Sequence, residues 1–308
     1  MRVKRHSGST LPSALADTLH AASLFSSIRF ADLWSEQGGE TVVWTLADAE
    51  SIQAALVGVQ FGFGPLKRLQ IMPDGLYAGI WSMGSSDSDV STAKQSLLDG
   101  ISAYGYAKVL LADFDRTLSP PDSWSAIPCE TTLVDISNPE WEPPDATIRS
   151  EIRKAEREGI HVTPFDISRH WDRYLTLVRG TESRHGRQQK YSNGFFCRLA
   201  QLAEIEPRIQ WVVVEYNDVL AASHIYLLDQ QRALYWQSYF DKKYSFLKAN
   251  QYMLYEMARR FFAQGGRWLN LGSSTGGSER LSSFKEKWGG ETVEYPLYTR
   301  ANWLGRLL

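Results

Sequence analysis

Three β-rich runs stand in close succession at Ile209–Tyr216, residues 220–228 and residues 233–240, joined by turns at Asn217-Asp218 and residues 229–231. Asn-Asp between two such runs is a hairpin signal, because both side chains tolerate the positive φ of a tight turn. A helical run follows over residues 249–264, stopped by Gly265-Gly266, and then a short strand over 268–271. A meander whose last strand feeds a crossover helix and a further strand folds as a mixed sheet with that last pair parallel. Residues 279–288 read as a helix ended by Gly289-Gly290, and residues 294–298 as a closing strand.

The same plan is written upstream, more faintly. A helical stretch at 24–37 precedes strand runs at 41–46, 54–61, 67–72 and 76–80. A helix follows at 91–104, stopped by Gly105, and then strands at 108–114 and 129–136. Between the copies, Ser137 to Asp145 carries Pro139, Pro143 and Pro144, which resist helix and sheet alike. The second copy opens with a helix at 146–158 closed by Gly159, a short strand at 161–166 and helices at 168–180 and 192–204. At 308 residues the chain has room for two domains of about 150. The expectation is an α/β fold of two tandem GNAT-like domains with mixed sheets, cut into residues 1–138 and 139–308.

Charge excludes a global nucleic-acid field. The 33 basic and 35 acidic residues leave a net −2, so any RNA contact must be local. Cys129 and Cys197 lack metal-site or disulfide spacing, which suits a reducing cytosol and predicts no metal. Met1-Arg2-Val3-Lys4-Arg5-His6 is basic, but a polar Ser-Gly-Ser-Thr stretch follows instead of an apolar signal core. No apolar run is long enough to span a bilayer, so a cytoplasmic protein is expected. The tail from Trp303 onward is apolar with one Arg. It reads first as packing on its own domain, with a peripheral contact at the inner face of the membrane as the alternative.

Three segments carry a resemblance. Arg149-Ser150-Glu151-Ile152-Arg153-Lys154-Ala155 runs on to Gly159. Residues 250–264 are followed by Gly266, Asn270, Leu271, Gly272 and Ser273. Phe284-Lys285-Glu286-Lys287-Trp288-Gly289 comes last. In order and spacing they resemble the peptidoglycan-bridge aminoacyltransferases of the Fem family, a branch of the GNAT superfamily, over roughly residues 125–300. The resemblance implies transfer of an acyl or aminoacyl group onto an amine of a cell-envelope, peptidoglycan or polysaccharide precursor. It leaves the donor open between acyl-CoA and aminoacyl-tRNA, with no covalently bound cofactor. A long heptad-rich arm, which some tRNA-using members carry, is missing here.

Acyl transfer to an amine needs a deprotonated nucleophile, an activated donor and a stabiliser for the tetrahedral oxyanion. No Gly-x-Ser-x-Gly and no Cys-His pair offers a covalent route. The resemblance makes Lys285 the oxyanion stabiliser, with Phe284 pointing into the core beside it. The alternative is an exposed helix face shared with Glu286 and Lys287. His224 and Glu215 are the candidate bases, and Asp241 could orient the amine; a strand histidine is more often structural. Lys248, Asn250 and Gln251 stand where GNAT domains hold the donor pyrophosphate at a helix N-terminus. The usual glycines are missing, so close backbone approach is harder and weak acyl-CoA binding is expected. Arg149 and Arg153 could grip substrate phosphate or simply lace a solvated helix. Arg184 and Arg187 form a basic loop before Tyr191. Tyr191 and Tyr239 are aromatic faces suited to a saccharide, or ordinary core. The competing reading is a non-catalytic module that keeps the scaffold to bind a ligand or partner.

Overall fold

The computed structural model describes residues 1–48, 51–77, 79–84, 86–273 and 279–307. It divides into two compact units: Met1–Cys129 with Glu294–Leu308, and Glu130–Val293.

In the first unit β1 (Arg2–Ser7) precedes α1 (Ser13–Ala22) and α2 (Ile28–Ala31). Then come β2 (Glu40–Ala47), β3 (Ile52–Phe61), β4 (Arg68–Ile71), β5 (Ile80–Ser82), α3 (Asp87–Ala103) and β6 (Lys108–Ala112). The strands lie in the order β1-β2-β3-β4-β6, and residues 297–301 complete the sheet beyond β6; β5 pairs with β3. β4 and β6 are parallel, and the other pairs among the described residues are antiparallel. Helix α3 starts where Ser86 Oγ accepts from the Asp89 amide at 3.2 Å, with Asp87 and Asp89 complementing the helix dipole. Its apolar face, Ala93, Leu97, Leu98 and Ile101, closes over Val42, Trp44, Leu56 and Val109.

The second unit takes the end of β7 (Ser125–Asp135), then α4 (Ala146–Arg157), β8 (Val162–Pro164), α5 (Ile167–Arg184) and α6 (Asn193–Ile205). The meander β9 (Ile209–Tyr216), β10 (Val219–Asp229) and β11 (Arg232–Phe240) leads into α7 (Ala249–Ala263), β12 (Trp268–Asn270), α8 (Glu279–Glu286) and the start of β13 (Glu291–Ala301). Residues 133–135 of β7 pair with β12, and the sheet continues β12-β11-β10-β9-β8. Among the described residues of this unit, only β11 and β12 run parallel. Asn217 and Asp218 both take positive φ, 50° and 61°, as the hairpin signal requires. Met253, Leu254, Met257 and Phe261 of α7 sit in one core with Val212, Val214, Tyr226 and Trp288. Asp145 caps α4, its carboxylate accepting from the amides of Thr147 and Ile148 at 2.8 and 3.0 Å.

Both units therefore repeat one plan: a meander, a crossover helix and a parallel strand, β4-α3-β6 and β11-α7-β12. The division differs from the proline-rich cut expected at 138/139. It falls after Cys129, because residues 133–135 already pair with β12. The prolines sit inside the second unit, where Arg149 Nη1 donates to the carbonyls of Pro143 and Pro144. Residues 294–308 belong to the first unit, because 297–301 pair with β6.

Candidate active site

β11 and β12 pair only over Arg232–Leu234 and Trp268–Asn270. Residues 235–240 of β11 continue with no strand on that edge among the described residues. The chain leaving β12 is held by a buried polar knot. Asn270, 1% exposed, accepts through Oδ1 from the Gly272 amide at 2.7 Å and the Thr131 hydroxyl at 2.6 Å. The Gly272 carbonyl accepts from the Thr132 amide at 3.1 Å and from Lys285 Nζ at 2.5 Å. Gly272 has a φ of 75°, a left-handed turn that glycine takes without strain.

Lys285 is 2% exposed, which overturns its reading as part of a solvated helix face. Burial pushes its ammonium down to about 8. An ammonium has three donors, and among the described residues only the Gly272 carbonyl takes one. Among the described residues it is a buried cation with hydrogen-bonding capacity to spare, the type of group that marks functional sites. Lys285 is more deeply buried than its neighbour: Phe284 is half-buried, packed against the core 6.2 Å from Trp288. Phe284 lines an open groove with Thr147, Glu151, Gln251 and Ser283.

Lys248 precedes α7 with a φ of 57°, the left-handed conformation a glycine would take most easily. Its ammonium is paired with Glu151 at 2.7 Å. The adjoining cavity, lined by Asp241, Tyr244, Lys248, Asn250 and Gln251 among others, holds about 190 Å³. Small-molecule sites usually hold about 300–1,000 Å³. Asp241 caps the turn at Lys242–Leu247, accepting from the Lys243 amide at 2.9 Å, and pairs with Arg173. Desolvation raises its carboxyl, but that amide and the guanidinium bring it below its ordinary value.

His224 is 0% exposed and does not reach a cleft as a base. Nε2 contacts Asn250 Oδ1 at 3.1 Å and the Tyr235 hydroxyl at 3.4 Å, and Nδ1 contacts the Tyr226 hydroxyl at 2.9 Å. The Asn250 carbonyl oxygen requires the proton on Nε2, so Nδ1 accepts from Tyr226. Burial, partly offset by Asn250, lowers the imidazole to about 4. Asn250, expected to hold donor, is thus committed to His224. Glu215 lies 3.0 Å from Arg169 and 3.5 Å from His170 Nε2, both on α5, and so is a partner in an ion pair.

The proposed substrate grip is dispersed. Arg149 is spent on the proline carbonyls, and Arg153 is exposed on α4. Arg184 donates to Thr181 Oγ1 at 2.9 Å and the Phe240 carbonyl at 3.0 Å; Arg187 lies 3.3 Å from Glu182. Tyr191 and Tyr239, 2% and 4% exposed, are core, packed with Phe195, Phe196 and Tyr174, and no face is left for a sugar. Thr131 and Thr132 carried no signal in the sequence. Asn270 and Gly272 stood in the motif, but only the fold shows Asn270 holding the turn whose Gly272 carbonyl accepts from Lys285.

A meander, a crossover helix and a parallel strand, repeated in tandem and with the parallel pair splayed in the second unit, is the GNAT class of fold. Residues 145–285 match the family model described as an acetyltransferase (GNAT) domain. The chain is similar in fold to FemX, with a TM-score of 0.69 and 12% identity over 96% of this chain and 97% of that one. It is also similar to the C-terminal domain of a putative lysylphosphatidylglycerol synthetase from Agrobacterium fabrum, with a TM-score of 0.59 and 13% identity over 96% and 95%. A tandem GNAT protein of the clavulanic acid pathway gives a TM-score of 0.51 and 8% identity over 97% and 98%. Sequence comparison with curated proteins finds no match. Among the described residues no helix is long and apolar enough to cross a membrane, and no His, Cys, Asp and Glu cluster could hold a metal.

Proposed function

We propose that this chain transfers an acyl or aminoacyl group to an amine of an amino-sugar or peptide precursor of the cell envelope, without a covalent enzyme intermediate. The observation that carries the reading is the buried ammonium of Lys285, which donates to the Gly272 carbonyl at the turn leaving β12. The acceptor nitrogen attacks the donor carbonyl, the carbonyl oxygen becomes an oxyanion, and collapse expels the donor's thiol or ribose hydroxyl. Lys285 supplies positive charge where that oxyanion develops. With His224 enclosed and Glu215 ion-paired, the amine proton leaves to water or to the departing group. The enzyme contributes placement and charge.

The cell-envelope acceptor is supported by the Fem-like segments and by the fold shared with FemX. An assay offering labelled aminoacyl-tRNA or acetyl-CoA to a nucleotide-linked amino-sugar peptide tests it. Formation of a labelled amide is expected, and transfer from neither donor would leave the non-catalytic module.

Acetyl-CoA is expected to bind weakly. The diphosphate cradle lacks glycines, Lys248 is engaged by Glu151, and the cavity is small. Isothermal titration decides it: micromolar affinity, about −8 kcal/mol, would make the donor a conventional acyl-CoA.

A further inference from the structure

We propose that one end of the first unit docks on a bilayer surface bearing anionic lipids. Three segments meet there, tied by backbone hydrogen bonds. The β3–β4 turn joins the start of β6 where the Ala107 amide donates to the Lys67 carbonyl at 2.7 Å. The chain after β13 joins the same place where the Asn302 amide donates to the Ala107 carbonyl at 2.9 Å. Arg68, Lys108 and Ala301 stand level across the adjoining strands.

Large apolar side chains protrude from this end: Phe63 is 82% exposed, Leu66 41%, Trp303 73% and Leu307 80%. The first reading of the tail, that it packs on its own domain, therefore does not hold for Trp303 and Leu307. The display is anchored. Phe63 sits between Gly62 and Gly64, both at positive φ, in a turn closed by the Leu66 amide on the Phe63 carbonyl at 3.1 Å. Trp303 sits between Asn302, whose Oδ1 accepts from the Gly305 amide at 2.9 Å, and Gly305 itself. Gly305 packs so tightly that a Cβ would come within 1.8 Å of the Ala107 carbonyl oxygen. Side chains on anchored turns lose little entropy on insertion.

Charge selects the occupant. Residues 62–68, 104–108 and 300–307 carry Lys67, Arg68, Lys108, Arg300 and Arg306 and no acidic residue, although the whole chain is −2. Glu40, at the adjoining end of β2, is paired with Arg5 at 2.9 Å. Aromatic and Leu tips ringed by Lys and Arg suit the headgroup region of an anionic leaflet. A second copy on the same patch would set like charges face to face.

The test is co-sedimentation of the full chain with vesicles of phosphatidylcholine alone and of phosphatidylcholine with phosphatidylglycerol. Binding to the anionic vesicles is expected, weakening with salt. Phe63→Ser with Trp303→Ser should lower it on the order of a hundredfold. Lys67→Gln and Arg306→Gln should each lower it about fivefold. All these sites are on the surface, and thermal melts verify that the variants fold. Wild type that ignores both vesicles, a double serine variant that binds as well as wild type, or Trp303-dependent self-association without lipid would each overturn the proposal. The readout does not depend on the donor or acceptor of the second unit.

Discussion

Replacing Lys285 by methionine is expected to cut kcat by about 10²–10³-fold, the effect of removing one oxyanion donor, while the protein stays at least as stable at pH 7. Methionine fills most of the same volume. It removes a cation whose burial depresses it to about 8, and Gly272 keeps its bond from the Thr132 amide. Lys285→Ala is a poorer probe. At 2% exposure it leaves a cavity and should destabilise by about 2–4 kcal/mol, so an unchanged melting temperature is not expected of it. Stability against pH isolates the charge. Between about 8 and the ordinary lysine value of 10.5 the unfolded chain holds the proton that the folded chain has released. Stability therefore rises with pH across that window, by on the order of 3 kcal/mol. The methionine variant should lack this rise in denaturant titrations. Full turnover in that variant would reduce Lys285 to a structural tie on the turn after β12.

Acid should destabilise the protein through His224. Its folded value of about 4 lies below the ordinary 6.5, so the unfolded chain takes up a proton first as pH falls. Stability present above pH 6.5 is lost on the way down to 4, by on the order of 3 kcal/mol. His224→Gln cannot titrate and should flatten the curve over that range by the same amount. Carboxylates that titrate lower affect both proteins alike. At pH 7 the variant should cost about 2 kcal/mol, since Tyr226 and Asn250 lose their partner inside the core. Parallel stability curves for wild type and variant would mean that His224 does not carry the acid sensitivity.

The second half was legible because its signals are local. Ile209–Tyr216 was delimited to the residue, and the hairpin at Asn217-Asp218 followed from residues that tolerate positive φ. β1 was not legible: Arg2 to Ser7 is polar and basic, and becomes a strand only by pairing with the edge of β2. The two compact units divide after Cys129 and not at the prolines for the same reason, since prolines report local chain stiffness and not which sheet a strand joins. In the site, the segment around Lys285 could be found from the sequence and its burial could not. Neighbouring Glu286 and Lys287 made α8 look solvated, yet the lysine turns inward to a carbonyl 13 residues away in sequence. His224 and Tyr191 show the converse, residues with chemical potential that the fold uses as internal packing.

The return of residues 297–301 to β6 sets an order on the ribosome. The first unit begins synthesis first and is completed last. Everything the second unit needs, through Val293, emerges while β6 still waits with one edge bare. At about 5–20 residues per second that wait lasts on the order of ten seconds or more. Through it, the hydrophobic run Val109-Leu110-Leu111 is open to mispairing with other nascent chains. Slower translation of the second unit would lengthen this exposure, and a chaperone covering β6 would matter more for yield than any change in the stability of the finished protein.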